Sequence, residues 1–317
     1  MTDEPSFPAR PPPRFGAVES PLSALSVTAG PVRRTLLFLA LPVLAEQILN
    51  TLVGLVDTYL AGRISPAATS AIGLAAYVDW LASMLLMLIG TGTTALVSRY
   101  EGSGDHDRAN HFANQSLTLA GILGVTVFCL MYTLAPWFAK YCRMTGESFD
   151  IAVTYLQVDA VGHMLMGPTL VGCAALRGVG NMRTPMMVFV VINAVNVIAS
   201  CSLVYGWGPL PILGVNGIVG GTVIARITGA MILLAILYAG GAGVKIRRSQ
   251  LPMVWASTWR LLRIGIPAAA DGAIMWCGHF MFLAIISRLA DPPLGEIYFA
   301  THIIAMRVEA FVYLPAV

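Results

Sequence analysis

The chain has 317 residues, of which 57% are hydrophobic and 11% charged, with a formal net charge of +3. An ordinary soluble domain carries about 25% charged residues, so this is the composition of a polytopic α-helical membrane protein. A nucleic-acid-binding protein would need a basic face on a soluble domain, and a transmembrane β-barrel would show short alternating segments instead of long apolar runs.

Residues 1–30 are polar and Pro-rich, without the apolar core of a signal peptide, and read as a disordered cytoplasmic tail. Eight apolar segments follow, at about 35–61, 71–98, 113–139, 155–176, 185–205, 212–240, 264–287 and 297–317, each near the roughly 20 residues that a spanning helix needs. Of the 19 Lys and Arg, thirteen fall in the tail and the even-numbered connections. Four (Arg63, Lys140, Arg143 and Arg288) fall on the other side. The positive-inside rule therefore predicts a multi-pass protein of the cell (inner) membrane with a cytoplasmic N-terminus.

The first span, LALPVLAEQILNTLVGLVDTYLAG, carries Glu46 and Asp57. A carboxylate in hydrocarbon costs about 2.5 kcal/mol or more, so each needs a reason. Asp57 stands roughly 34 Å along the helix from Arg34 at 1.5 Å per residue, towards the outer end. It is either an interfacial carboxylate in water or an ion or proton site. In the fifth span Asn193, Asn196 and Ser200 are spaced three and four apart and share one face. They suit a titrating or Na⁺-binding carboxylate, and equally suit plain interhelical hydrogen bonding.

The sixth span opens with glycines (Gly214, Gly217, Gly220, Gly221) that allow close helix contact, and places Thr222 beside the polar face. Arg226 lies near mid-span and either pairs with a carboxylate across the bundle or snorkels. In the connection 241–263, Trp255 and Trp259 predict an interfacial helix on the cytoplasmic surface, with a loop bearing interface anchors as the alternative. In the seventh span Asp271, Met275 and His279 recur every four residues, and Asp271 with His279 is a candidate polar site. The five cysteines form no CxxC, so neither a disulfide framework nor a zinc site is indicated. HExxH, GxSxG and GxxxxGK[ST] are absent, so the sequence indicates neither catalysis nor ATP binding, and no cofactor is expected.

The first and seventh spans match. With Pro42 on Pro267, Glu46 falls on Asp271 and Arg63 on Arg288. The implied repeat is six spans entering from the same side, a parallel repeat of the kind found in transporters. Two copies give twelve spans. The chain then comprises the tail (1–30), an N-terminal six-helix lobe (31–240), an inter-lobe linker (241–259) and the first two helices of a second lobe (260–317). It stops at VYLPAV, still apolar, and a fragment of a longer protein is expected.

Five stretches in order resemble the multidrug and toxic compound extrusion (MATE) transporters, closest to their DinF-like bacterial branch. They are LVDTYLAGRIS after Pro42; VSRYEGSGDHDRAN; ALRGVGNMRTPMM, with Asn181 where aspartate is usual; NAVN with LGVNGIVGGT; and ATHIIAMRVEAF, with Ile303 in place of glutamine. The resemblance covers about residues 31–317. It implies two six-helix lobes around a cleft that exchange drugs or organic cations for Na⁺ or H⁺. It also implies a cation or proton site in the first lobe, with Asp57 as its carboxylate, Asn196 as its amide and Thr222 as its hydroxyl. Ser200 stands where the family often has a second aspartate. Met275 stands where some members have a seventh-span glutamate, leaving Asp271 or His279 to substitute. Two other functions remain open on the sequence. A lipid-linked oligosaccharide flippase would need a cleft-facing arginine cluster, and an intramembrane enzyme would need Asp271 and His279 to converge.

Overall fold

The computed structural model describes residues 32–207, 211–289, 291 and 294–313, without the side chains of 32–39, 271, 296, 307, 308 and 310–313. The tail 1–30 lies outside the described residues. Among the described residues eight α-helices run in order: α1 (Val32–Ile64), α2 (Pro66–Gly102), α3 (His106–Tyr141), α4 (Gly146–Gly178), α5 (Arg183–Tyr205), α6 (Val215–Ala239), α7 (Trp255–Ile286) and α8 (Leu294–Tyr313). No strand occurs among the described residues. Seven helices among the described residues are long and apolar enough to cross a membrane, and α8 contributes a shorter apolar stretch, Ile297–Met306. Residues 41–317 form one compact unit; of the other, 1–40, the described part is the start of α1.

Local chemistry sets the helix ends. Ser65 separates α1 from α2, and its Oγ accepts the Ala68 N–H at 3.0 Å with Pro66 at the first helical position, a preorganised start that needs no N–H there. Asp105 does the same for α3, accepting the Arg108 N–H at 3.0 Å. Gly206 and Gly240 close α5 and α6 in the left-handed region, at φ +68° and +75°, where a side chain would be strained. Four prolines (Pro42, Pro136, Pro168 and Pro267) sit inside helices, as spanning helices tolerate.

Helix α2 packs on α3, α4, α7 and α8, while α4 packs on α2, α3 and α6. The α5–α6 contact depends on two glycines four apart. A Cβ on Gly217 would stand 2.8 Å from the Leu203 carbonyl carbon, and one on Gly221 would stand 2.7 Å from the Ser200 Cα. This small-residue approach brings Thr222 against Asn196.

The interfacial helix expected before the seventh span is not a separate element. The connection holds a three-residue 3₁₀ turn, Arg248–Gln250, and Trp255 and Trp259 stand in the first turns of α7 itself. Nothing breaks the helix between them and the span. The connection is a strap tied to α3. Asn110 Oδ1 accepts the Lys245 N–H at 2.7 Å, and Asn114 Oδ1 accepts the Arg247 N–H at 3.0 Å. Gln115 Nε2 donates to the Gln250 and Pro252 carbonyls, and its Oε1 accepts the Val254 N–H at 2.7 Å. Amides facing a non-helical backbone supply the partners that the backbone lacks.

Candidate functional site

The polar residues of the spans fall at two depths. Both are counted from the end where α1 finishes and α2, α4 and α6 begin. Asp57 is seven residues from Ile64, Thr222 seven from Val215, Asn196 nine and Ser200 five from Tyr205, or about 8–14 Å in at 1.5 Å per residue. Asp79 is thirteen residues from Pro66, Asp159 thirteen from Gly146 and Arg226 eleven from Val215, or about 17–20 Å in.

In the shallower layer Asn196 Nδ2 donates to Thr222 Oγ1 at 3.0 Å, and Thr222 Oγ1 donates to the Ile218 carbonyl at 3.2 Å. Asn196 is buried, and nothing among the described residues donates to its Oδ1. A buried acceptor without a donor costs about 1–3 kcal/mol, so a cation or proton-bearing group at that oxygen would be held. Asp57 acts electrostatically on Tyr155 of α4 and on Cys201 of α5, the residue after Ser200. The expected set thus comes partly together. Asn193 is bonded elsewhere on α1, donating to Asn50 at 3.1 Å. Ser200 Oγ donates to the Ile218 carbonyl at 3.2 Å and ties α5 to α6.

The deeper layer is a charged cluster of which the sequence reading had singled out one member. Arg226 pairs; it does not snorkel. Its guanidinium donates to Asp79 Oδ1 of α2 at 2.7 Å and to Asp159 Oδ1 of α4 at 2.9 Å. Between them lies His163, with no exposed side-chain surface. Its Nε2 is 2.7 Å from Asp79 Oδ1, outside hydrogen-bonding alignment, and its Nδ1 is 3.3 Å from Asp159 Oδ2. Gly162 makes room, since a Cβ there would stand 2.9 Å from Arg226 Cδ. Asp79, Asp159 and His163 each stood alone in the sequence. The signal that groups them is equal depth, together with the four-residue spacing of Asp159 and His163.

A second ion pair explains Glu46. Arg177, in the last turn of α4, donates from one nitrogen to both Glu46 oxygens at 2.7 Å, with side-chain exposures of 21% and 9%. The carboxylate is neutralised where α1 passes α4.

The second candidate site cannot be assembled. The Asp271 side chain lies outside the described residues, and His279 Nδ1 lies 2.9 Å from the Met275 carbonyl with its ring against Trp276. Asn181, where the resemblance leads one to expect aspartate, starts α5: its Oδ1 accepts the Thr184 N–H at 3.0 Å.

Known proteins agree with this architecture. The MatE family profile matches residues 42–201. The chain is 30% identical over 285 residues to a probable multidrug resistance protein NorM of Thermotoga maritima, covering 90% of this chain and 60% of that protein. It is 26% identical over 288 residues to the multidrug resistance protein PmpM of Pseudomonas aeruginosa, covering 89% and 58%. The fold matches an outward-facing structure of a multidrug resistance MATE family transporter of the MOP superfamily with a TM-score of 0.79, 23% identity and coverage of 90% and 62%. An inward-facing structure matches at 0.75, with 24% identity and coverage of 84% and 59%. The chain spans 52–60% of the length of the curated relatives it matches. With this profile over its first five helices, the chain belongs to the MatE family.

Proposed function

We propose that the protein exports small organic molecules, organic cations among them, across the cell (inner) membrane in exchange for Na⁺ or H⁺, by alternating access. The observation that carries the reading is the buried Asn196 Oδ1 that no described residue satisfies, in the same layer as Asp57 and bonded through its amide to Thr222. One carboxylate with neutral oxygens suits a single Na⁺, which hard oxygen ligands hold, or a single proton. Binding of that ion shifts the packing of α1, α5 and α6 and lowers affinity for the exported molecule, and reciprocity requires the exported molecule to lower affinity for the ion.

The relatives named as multidrug resistance proteins support the export of varied organic compounds. The flippase reading has lost its support: Arg226, its one candidate for a pyrophosphate, is held by two carboxylates.

Dye efflux from drug-sensitive cells producing the protein tests the proposal. Wild type is compared with Asp57→Asn, with Na⁺ present or replaced and with the proton gradient intact or collapsed. Loss of efflux in the variant at equal membrane abundance, with dependence on one gradient, is expected. Efflux indifferent to both would remove Asp57 from the mechanism.

A further inference from the structure

The exchange described above makes no use of Asp79, Asp159, His163 or Arg226. These four close a compact network between α2, α4 and α6, and its charge is not balanced in every state. The guanidinium stays protonated. With two carboxylates and a neutral imidazole the cluster carries a net charge of −1; with an imidazolium it carries zero. A buried net charge is costly, so one added proton removes a penalty that nothing else among the four removes.

The geometry offers partners for both states of the ring. Neutral, with its lone pair on Nδ1, His163 accepts from Arg226 NH1 at 3.0 Å. Protonated there, Nδ1–H faces Asp159 Oδ2 at 3.3 Å and the Asp159 carbonyl at 3.2 Å, while Arg226 NH1 keeps Asp159 Oδ1 at 2.9 Å. Nε2 stays against Asp79 Oδ1 in either case. Proton uptake therefore exchanges one α4–α6 contact for a contact within α4 and leaves the surroundings of Nε2 unchanged.

The groups that act on the ring from its neighbours are Arg226 of α6, Asp79 of α2 and Asp159 of α4. Tyr155 of α4, two turns before His163, is buried and is itself influenced by Asp57, Asp159, Arg226 and Asp79. The other helices packed on α4 add no charge there: α3 from 112 to 139 and α5 from 184 to 205 have no Asp, Glu, Lys or Arg.

Access is one-sided. The His163 side chain is 0% exposed, Asp159 4% and Arg226 12%, whereas Asp79 is 27% exposed. Asp79 is thus the most exposed of the four and the member that touches the Nε2 ring nitrogen. Asp79, Asp159 and His163 also have the donor types and proximity of a metal site. Arg226 argues against one, because its guanidinium already lies on both carboxylates where a cation would sit.

We propose that His163 is a proton-binding site of this protein, held by Asp79, Asp159 and Arg226, reached through Asp79 and separate from Asp57. The proton is taken from water by an imidazole nitrogen and returned to it, with no other chemistry.

The test needs no transport, so its outcome is independent of the efflux experiment. The full chain is placed in lipid nanodiscs with ¹⁵N-labelled imidazoles, and the His163 signals are identified among the five histidines by their loss in His163→Gln. Between pH 5 and pH 11 the His163 signals should pass from the imidazolium to the neutral pattern in one transition. The transition should persist in Asp57→Asn. In Asp79→Asn the proton should be held about tenfold or more less tightly, as loss of a neighbouring carboxylate requires. Four unchanged histidine signals in that variant show that it is folded; if it is not, the wild-type titration decides alone. Signals fixed from pH 5 to pH 11 would overturn the proposal, as would disappearance of the transition in Asp57→Asn. Selective broadening of His163 by micromolar Mn²⁺ would replace the proton site with a metal site.

Discussion

The Glu46–Arg177 pair is open to a quantitative test because its two ends are unequal. Both Glu46 oxygens accept from one Arg177 nitrogen at 2.7 Å, and the carboxylate is the more buried end, 9% exposed against 21%. Removing one partner of a buried pair costs about 3–5 kcal/mol, because the survivor is left uncompensated. Arg177→Met strands the deeper group and should cost about 3 kcal/mol, the lower end of that range given the partial exposure of the arginine. Glu46→Met leaves an arginine in the last turn of α4 that can reach the interface on its long stem, so about 1–2 kcal/mol is expected. The double variant Glu46→Met with Arg177→Met strands nothing and should cost about 1 kcal/mol or less, since apolar replacement of a buried pair is often close to neutral. The singles then sum to about 4–5 kcal/mol against about 1 for the double, a coupling of roughly 3–4 kcal/mol. Equilibrium unfolding of the chain in mixed micelles by added SDS, over the four members of the cycle, measures it. A double variant equal to the sum of the singles, within about 0.5 kcal/mol, would refute the pairing.

Two further outcomes follow from the same geometry. Asn114→Ala removes the acceptor of the Arg247 N–H and the donor to the Lys245 carbonyl; backbone amides over 245–254 should exchange about tenfold or more faster, the equivalent of about 1.4 kcal/mol of local opening, while those within α5 and α6 stay unchanged. Gly221→Val forces α6 away from Ser200, with an expected loss of about 2–3 kcal/mol from overpacking; disulfide trapping of Asn196→Cys with Thr222→Cys, efficient otherwise, should fall several-fold, and unchanged trapping would remove the glycine from its role.

The spans were legible because membrane helices announce themselves by length and composition, and every expected span lies within or across one observed helix. The Asn196–Thr222 pairing was legible for a local reason as well. Spacing on α5 and the glycine run of α6 fix which faces meet. The strap was not legible. Asn110, Asn114 and Gln115 lie on α3 at helical spacing, but they bond to backbone groups more than 130 residues later in the chain, and no periodicity encodes the register of a non-helical segment. The start of α7 was misplaced for a related reason. Trp255 and Trp259 are the residues an interfacial helix would use, and sequence alone does not distinguish a helix lying on the surface from the first turns of a helix that enters it.

The charged cluster shows what a single span hides. Asp79, Asp159, His163 and Arg226 each have an ordinary reading alone; the similar depth of Asp79, Asp159 and Arg226 and the four-residue spacing of Asp159 and His163 make them partners. The spans read from the sequence, beginning at about 71, 155 and 212, put Asp79, Asp159 and Arg226 about eight, four and fourteen residues in; only the observed helix ends set Asp79 and Asp159 at the same thirteen residues and Arg226 two residues nearer. The same count sets Asp57 nearer the end, with Asn196 and Thr222. Ser200 helps to keep the layers different in charge. Its hydroxyl is spent on the Ile218 carbonyl and its backbone lies against Gly221, so the shallower layer offers one carboxylate among neutral oxygens. The deeper layer has two carboxylates against one permanent cation. A chain of 11% charged residues has therefore placed two carboxylate-bearing sites one to two turns apart, with Tyr155 under the charges of Asp57 as well as of Asp79, Asp159 and Arg226.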